Sequence, residues 1–175
     1  PGRLDKLVAL DIVPTLEVWR GMDAIRAMKM YHWLFLAQPA PIPENMIAPA
    51  PLAWLDHTLA SWTADHSLRA FDARAMAHYR ASFNDPSRIH AACEDYRAGA
   101  TIDRALDEID HKAGHKIQPP VLVLWGAHGF PAQGRSPLDV WRDWCKDVRG
   151  QAIDCGHFLP EEAPDETLAA LLAFL

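Results

Sequence analysis

The 175 residues are half hydrophobic and carry a formal net charge of -6, enough apolar side chain for a buried core and no cationic excess for binding nucleic acid. No apolar run approaches the roughly 18 residues that a membrane-spanning helix needs, and Lys and Arg are scattered, most of them near an Asp or Glu. The three cysteines, Cys93, Cys145 and Cys155, fit neither a zinc site nor a disulfide framework, so a cytoplasmic, reducing setting is the simple reading.

The chain opens on Pro1 and enters a strand-like run almost at once, at residues 7–13, closed by Pro14. This leads to the expectation that the natural protein starts upstream. Residues 16–33 follow a helical apolar pattern, and Pro39, Pro41 and Pro43 then mark a non-helical connection. Residues 52–63 read as helix. Asp72 is placed to cap a helix through Ala81, and Asp85-Pro86 to start another over 87–98, followed by one over 101–112. A second short apolar run, Val121–Trp125, sits between Pro119-Pro120 and Gly126. Ser136-Pro137 opens a helix, with Asp139 spaced as in a capping box. A third, weaker strand is expected over 151–155. The last helix begins near Asp165 and is expected to bury Leu168, Leu171, Leu172 and Leu175 as one stripe.

Strands alternating with helices predict an α/β fold with three parallel strands, and the long helical block after the first strand predicts a cap insertion over their C-terminal edge. The expected division is 1–15 for the core strand and its acid, 16–115 for the helical cap, and 116–175 for the C-terminal core.

Two residues stand where such an edge does chemistry. Asp11 ends the first strand, where a carboxylate can orient an imidazole, although on position alone the commoner role is to cap the next turn. His157 lies in Cys155-Gly156-His157-Phe158-Leu159-Pro160-Glu161-Glu162; strand, glycine, histidine and C-terminal location together point to function. A base and its orienting acid still need a nucleophile. No Gly-x-Ser-x-Gly or Gly-x-Asp-x-Gly elbow occurs in the chain. The expectation is therefore that the nucleophile precedes residue 1 and that these residues alone are inactive. The first strand is also expected to keep an unpaired edge, making the isolated chain prone to aggregation.

In the helical block, His32, Trp33 and Tyr96 offer an imidazole N–H, an indole N–H and a phenol O–H. Expelling a small, strongly hydrated anion such as fluoride needs several donors aimed at one point. By themselves, a His-Trp pair and a Tyr in helices are ordinary packing. His111 and His115 are spaced i, i+4, but no third ligand follows in metal-binding spacing and a solvated face is expected.

The strings Tyr-His-Trp-Leu-Phe-Leu-Ala-Gln-Pro-Ala-Pro (31–41) and Cys-Glu-Asp-Tyr-Arg-Ala-Gly-Ala (93–100) resemble those of the fluoroacetate, or haloacetate, dehalogenases. So do Leu-Asp-Ile-Val-Pro-Thr (10–15) and Gly-His-Phe-Leu-Pro-Glu-Glu (156–162), and the similarity covers residues 3–175. The resemblance implies a partial α/β-hydrolase fold with a helical cap. It also implies a reaction in which an aspartate displaces halide from the α-carbon of a small haloacid and the resulting ester is hydrolysed. His157 matches the base that activates water, Asp11 its orienting acid, and His32, Trp33 and Tyr96 the halide-binding donors. Trp62 matches a tryptophan lining the pocket. The attacking aspartate and the arginines that hold the substrate carboxylate have no match in residues 1–175. No metal or organic cofactor is implied, nor any nucleic-acid or membrane partner; a homodimer is. The base with its acid is expected to share one cavity with the three ring donors. Two alternatives stay open: an epoxide hydrolase, with Tyr31, Tyr79 and Tyr96 as candidate proton donors, and a non-catalytic remnant that binds a partner through its open sheet edge.

Overall fold

Val121–Leu124 is apolar at every position, and in the computed structural model, which describes residues 3–129, 131 and 134–175, it forms the centre of a three-stranded parallel sheet. The order is β1 (Leu7–Leu10), β2 (Val121–Gly126), β3 (Val148–Ile153). Leu7 stands opposite Val121 and Leu10 opposite Leu124, while Val121 through Gly126 pair with Val148 through Ile153. The outer strand β3 is more polar, with Arg149, Gln151 and Ala152 exposed, because its far side has no strand neighbour among the described residues.

Two strands differ from expectation at their ends. β1 stops at Leu10 rather than residue 13 because Asp11 leaves the extended region, with φ at 49°. β3 covers 148–153 rather than 151–155. Gly150 lies inside the strand where the backbones crowd: a Cβ there would fall 2.1 Å from the Val123 carbonyl oxygen.

The expected helix over 16–33 is three short ones, α1 (Thr15–Arg20), α2 (Ala24–Lys29) and α3 (Tyr31–Leu36). Gly21 interrupts the pattern, and the Asp23 carboxylate caps α2 by accepting from the Arg26 N–H at 2.8 Å. The proline-rich connection contains a helix after all, α4 (Ile42–Ile47), because Pro43 sits in its first turn, where no N–H is needed. Then come α5 (Pro51–Trp62), α6 (Ala73–Phe83), α7 (Pro86–Ala100) and α8 (Ile102–Ala113). Asp85 caps α7 through the Ser87 N–H at 2.8 Å.

The remaining helices are α9 (Pro137–Trp144), α10 (Leu159–Glu162) and α11 (Pro164–Leu172). The Ser136 side chain makes no capping bond, and Asp139 pairs instead with Arg142. The expected leucine stripe on the last helix is mostly solvent-facing: Leu168, Leu172 and Leu175 are exposed. The buried face carries Thr167, Ala170, Leu171 and Phe174, and the Thr167 hydroxyl donates to the Leu159 carbonyl at 3.0 Å. Only Leu171 belongs to both faces, so counting apolar side chains selected the wrong one.

The chain forms two compact units: Pro1–Pro14, Leu59–Asp72 and Asp110–Leu175 in one, Thr15–Thr58 and Ala73–Ile109 in the other. The packing thus groups 59–72 and 110–115 with the sheet, where the sequence division put them with the helical block. Rings explain part of this: Trp62 stacks on Phe158 at 6.0 Å, and Phe71 meets Phe158 edge-on at 5.1 Å. The sheet unit's core is Leu122, Leu124, Ile153, Cys155, Leu159, Ala163 and Phe174.

The helical unit packs around Leu36, Ile47, Ile89 and Cys93. An ion pair ties α4 to α7 there. The Arg97 guanidinium donates to both Glu44 oxygens, at 2.9 and 3.0 Å, and to the Gln38 carbonyl at 2.8 Å. The Arg97 hydrogen bonds hold the Glu44 carboxyl at about 2, below its usual 4.5. A depressed carboxyl contributes stability that is fully present above its unfolded pKa and is lost as pH falls through the folded one. Thermal melts should therefore show the helical unit weakening between pH 4.5 and about 2, and Glu44→Gln should flatten that slope.

Candidate active site

Asp11 follows directly on β1, and its backbone still pairs with β2, donating to the Leu124 carbonyl at 2.7 Å. The left-handed φ that ends the strand is uncommon for a residue with a Cβ, and such strain concentrates where a side chain must be aimed. Here it turns the carboxylate into the protein, fully buried. Its Oδ1 accepts from the Gly126 N–H at 2.9 Å, and its Oδ2 lies 2.7 Å from Nδ1 of His157.

Glycines make room for this carboxylate. A Cβ on Gly129 would lie 2.8 Å from Oδ2 of Asp11 and 3.0 Å from Oδ1. A Cβ on Gly126 would strike the Gly156 carbonyl at 1.9 Å, so the end of β2 and the turn before His157 touch backbone to backbone. Gly156 itself abuts Ala64 N and the Trp62 carbonyl, at 2.5 and 2.7 Å from a built Cβ. Close approach is thus what requires glycine at 156.

The His157 N–H donates to the Trp62 carbonyl at 3.0 Å, and the Trp62 ring meets the imidazole edge-on at 5.2 Å. Phe158 packs against another side of the ring at 5.0 Å. A carboxylate is only an acceptor, so Nδ1 must carry the proton between them, and in the neutral ring Nε2 then holds the lone pair. The side chain is 39% exposed. Asp11, His157 and Trp62 therefore assemble within the sheet unit.

Cys155, next to this turn, is no competing nucleophile. Burial, helped by the charges of Glu162 and Asp11, pushes its thiol up to about 12, and it stays protonated at neutral pH. Cys93 and Cys145 are buried as well. His115 pairs with Asp110 at 2.9 Å, and His111 packs at 5.2 Å from the Trp144 ring; the two do not converge on a common point.

His32, Trp33 and Tyr96 assemble separately, within the helical unit. Tyr96, on α7, meets His32 edge-on at 5.7 Å and Trp33 at 5.8 Å, both on α3. Trp19 backs Trp33 at 5.9 Å and is anchored by its indole N–H on the Gly99 carbonyl at 3.0 Å. His32 is buried. Burial pushes the Tyr96 phenol up to about 12, with Asp95 adding to the effect, so it remains an O–H donor at neutral pH. Gly126, Gly129 and the Trp62 carbonyl are the parts of the site that the sequence did not single out. The run Gly126-Ala-His-Gly129 directly after a strand was the available signal.

The parallel strands, their order and the placement of Asp11 and His157 at the strand ends define part of an α/β-hydrolase fold. A protein from Nostoc sp PCC 7120 assigned to the α/β hydrolases superposes on 99% of the chain with a TM-score of 0.94 and 47% identity, the chain covering 58% of it. The chain is similar over all 175 residues to a fluoroacetate dehalogenase from a Burkholderia species, at 36% identity, and to 57% of that protein's length. It is also 26% identical over 173 residues to a soluble epoxide hydrolase from Corynebacterium sp. strain C12, of which it covers 58%. The chain thus spans little more than half the length of the relatives it matches. No protein-family profile matches it.

Two measurements check the site geometry. Gly129→Ala should displace the Asp11 carboxylate and lower the melting temperature, and imidazole NMR should show His157 losing its Nδ1 hydrogen bond. A spectrophotometric titration should resolve one tyrosine near pH 12 that disappears in Tyr96→Phe.

Proposed function

We propose that this chain is part of a hydrolytic dehalogenase that cleaves the carbon–halogen bond of short 2-haloacids, fluoroacetate to glycolate and fluoride above all. The observation that carries the reading is the 2.7 Å contact of His157 Nδ1 with a buried Asp11, in a chain similar throughout to a fluoroacetate dehalogenase. The roles run as follows. A carboxylate nucleophile, supplied from outside these 175 residues, attacks the α-carbon, and the C–F bonding pair leaves as fluoride. His32, Trp33 and Tyr96, on the helical unit acting as a cap, donate to that anion in a dry site, where fixed donors replace its lost hydration.

The ester so formed must then be hydrolysed. His157 Nε2 takes a proton from water, whose oxygen attacks the ester carbonyl, and the alcohol product leaves as the carboxylate is regenerated. Asp11 holds the tautomer and offsets the charge of the imidazolium. Trp62 walls the imidazole and lines the pocket. The covalent route needs only water, with no metal or organic cofactor.

Epoxide opening is the alternative that the Corynebacterium relative favours. That chemistry needs tyrosine hydroxyls to protonate an alkoxide. Of the three tyrosines, Tyr31 and Tyr79 are exposed and only Tyr96 is sheltered, beside His32 and Trp33, which a fluoride site uses and an alkoxide site does not need.

The test is fluoride release from fluoroacetate, against diol formation from styrene oxide, by the product of the complete native reading frame. Fluoride release is expected. Asp11→Asn should lower turnover by roughly 10⁴-fold, since an amide favours the wrong tautomer. His157→Gln should stall at the ester, visible as an added glycolyl mass. Diol without fluoride would replace the proposal with the epoxide reading.

A further inference from the structure

One carboxylate outside the Asp11–His157 pair is spent entirely on backbone. Glu162, at the end of α10, accepts three main-chain N–H groups. Its Oε2 takes those of Ala64 and Gly156, at 2.8 and 2.9 Å, and its Oε1 that of Phe158, at 3.0 Å. Gly156 and Phe158 flank His157. Ala64 follows two residues after Trp62, the last residue of α5, whose carbonyl receives the His157 N–H. A single side chain therefore grips the residues before and after the imidazole and the segment that holds the imidazole's own amide.

The number of donors matters chemically. An ionised carboxylate offers two oxygens and no hydrogen, so it can accept all three N–H groups, and charge makes these bonds roughly twice as strong as neutral ones. A carboxamide has one oxygen and an NH₂. However it is turned, at least one backbone N–H would face another donor. The geometry it guards is narrow, because His157 sits on a loop, and a displacement of about 1 Å would break a 2.7 Å hydrogen bond to Asp11.

We propose that Glu162 is a positioning residue that, by accepting the Ala64, Gly156 and Phe158 N–H groups together, holds the His157 imidazole on Asp11. The proposal rests on the reading of His157 as the base, and it adds a residue acting through His157 without touching substrate.

The experiment is proton NMR of the His157 Nδ1–H in the product of the complete native reading frame, assigned by its loss in Asp11→Asn and His157→Gln. In Glu162→Gln, with a cooperative melt confirming the fold, exchange of that proton with water should be at least about tenfold faster, as expected for losing one charge-assisted bond. Glu161→Gln, the neighbouring carboxylate, should leave exchange unchanged. Turnover of fluoroacetate by Glu162→Gln should fall roughly 100-fold with KM little altered. A folded Glu162→Gln whose Nδ1 proton exchanges within about twofold of the unmutated rate would overturn the proposal, since one lost charge-assisted bond should cost more than that. Should Glu162→Gln fail to fold, Glu162→Asp keeps the charge and both oxygens on a shorter arm, and the same exchange criterion applies to it. The NMR comparison uses no haloacid, so it decides on Glu162 whether or not the unmutated protein releases fluoride.

Discussion

A hydrogen bond between residues 146 positions apart organises the sheet unit: His157 Nδ1 to Asp11 Oδ2. Neither residue can reach the other unless β1 and the turn after β3 both arrive at the same end of β2. The parallel order β1-β2-β3 achieves this, because all three strands then end on one side. The Gly126 N–H at the end of β2 holds the second Asp11 oxygen, so the central strand serves as the reference against which both partners are set. A buried carboxylate with one oxygen unsatisfied would be costly, and removing a partner from a buried charged pair typically costs about 3–5 kcal/mol. Here each oxygen is bound, one to a backbone dipole and one to the imidazole.

The demand for close approach around that carboxylate propagates outward. Three glycines are fixed by it, at 126, 129 and 156, each where a Cβ would lie within 3 Å of a neighbouring backbone or carboxylate atom. Trp62 is drawn in by the same crowding: its carbonyl takes the His157 N–H and its ring closes one side of the imidazole. This is why residues 59–72, distant in sequence from the sheet, pack with it.

Much of this was legible in the sequence, for a physical reason. A fully buried central strand cannot hide its composition, and Val121–Trp125 announced β2 without ambiguity. The strand–glycine–histidine turn singled out His157 by position, whereas Asp11 was marked out by the family resemblance of residues 10–15, and the structure brings the two side chains within 2.7 Å. The failures share a different cause. The end of β1 is set by the left-handed backbone of Asp11 and the span of β3 by its pairing with β2, neither of which single-strand periodicity reports. On α11 the leucines follow a helical period as well as Thr167, Leu171 and Phe174 do, and only tertiary contact selects between two apolar faces. Gly129 and Gly156 were unreadable in detail because what they avoid, the Asp11 carboxylate and the Trp62–Ala64 backbone, comes from elsewhere in the chain.

On the proposed reading, the two units divide the chemistry unequally. Hydrolysing an ester on a carboxylate needs a base with a free nitrogen and an acid behind it, whatever the alcohol part was. The sheet unit's pair is therefore suited to a haloacid or an epoxide alike, which accords with similarity to both a fluoroacetate dehalogenase and a soluble epoxide hydrolase. The first step is where the reactions part. Fluoride departs as a compact anion that needs donors but no proton, whereas an opening epoxide leaves an alkoxide that must be protonated. Three different ring donors meeting edge to edge at Tyr96 suit the first demand. A phenol held protonated by burial, with an imidazole and an indole against it, stabilises an anion by hydrogen bonding and gives up its proton reluctantly. On the proposed reading, specificity falls to side chains of α3 and α7, and the sheet edge supplies a hydrolytic step that is indifferent to it.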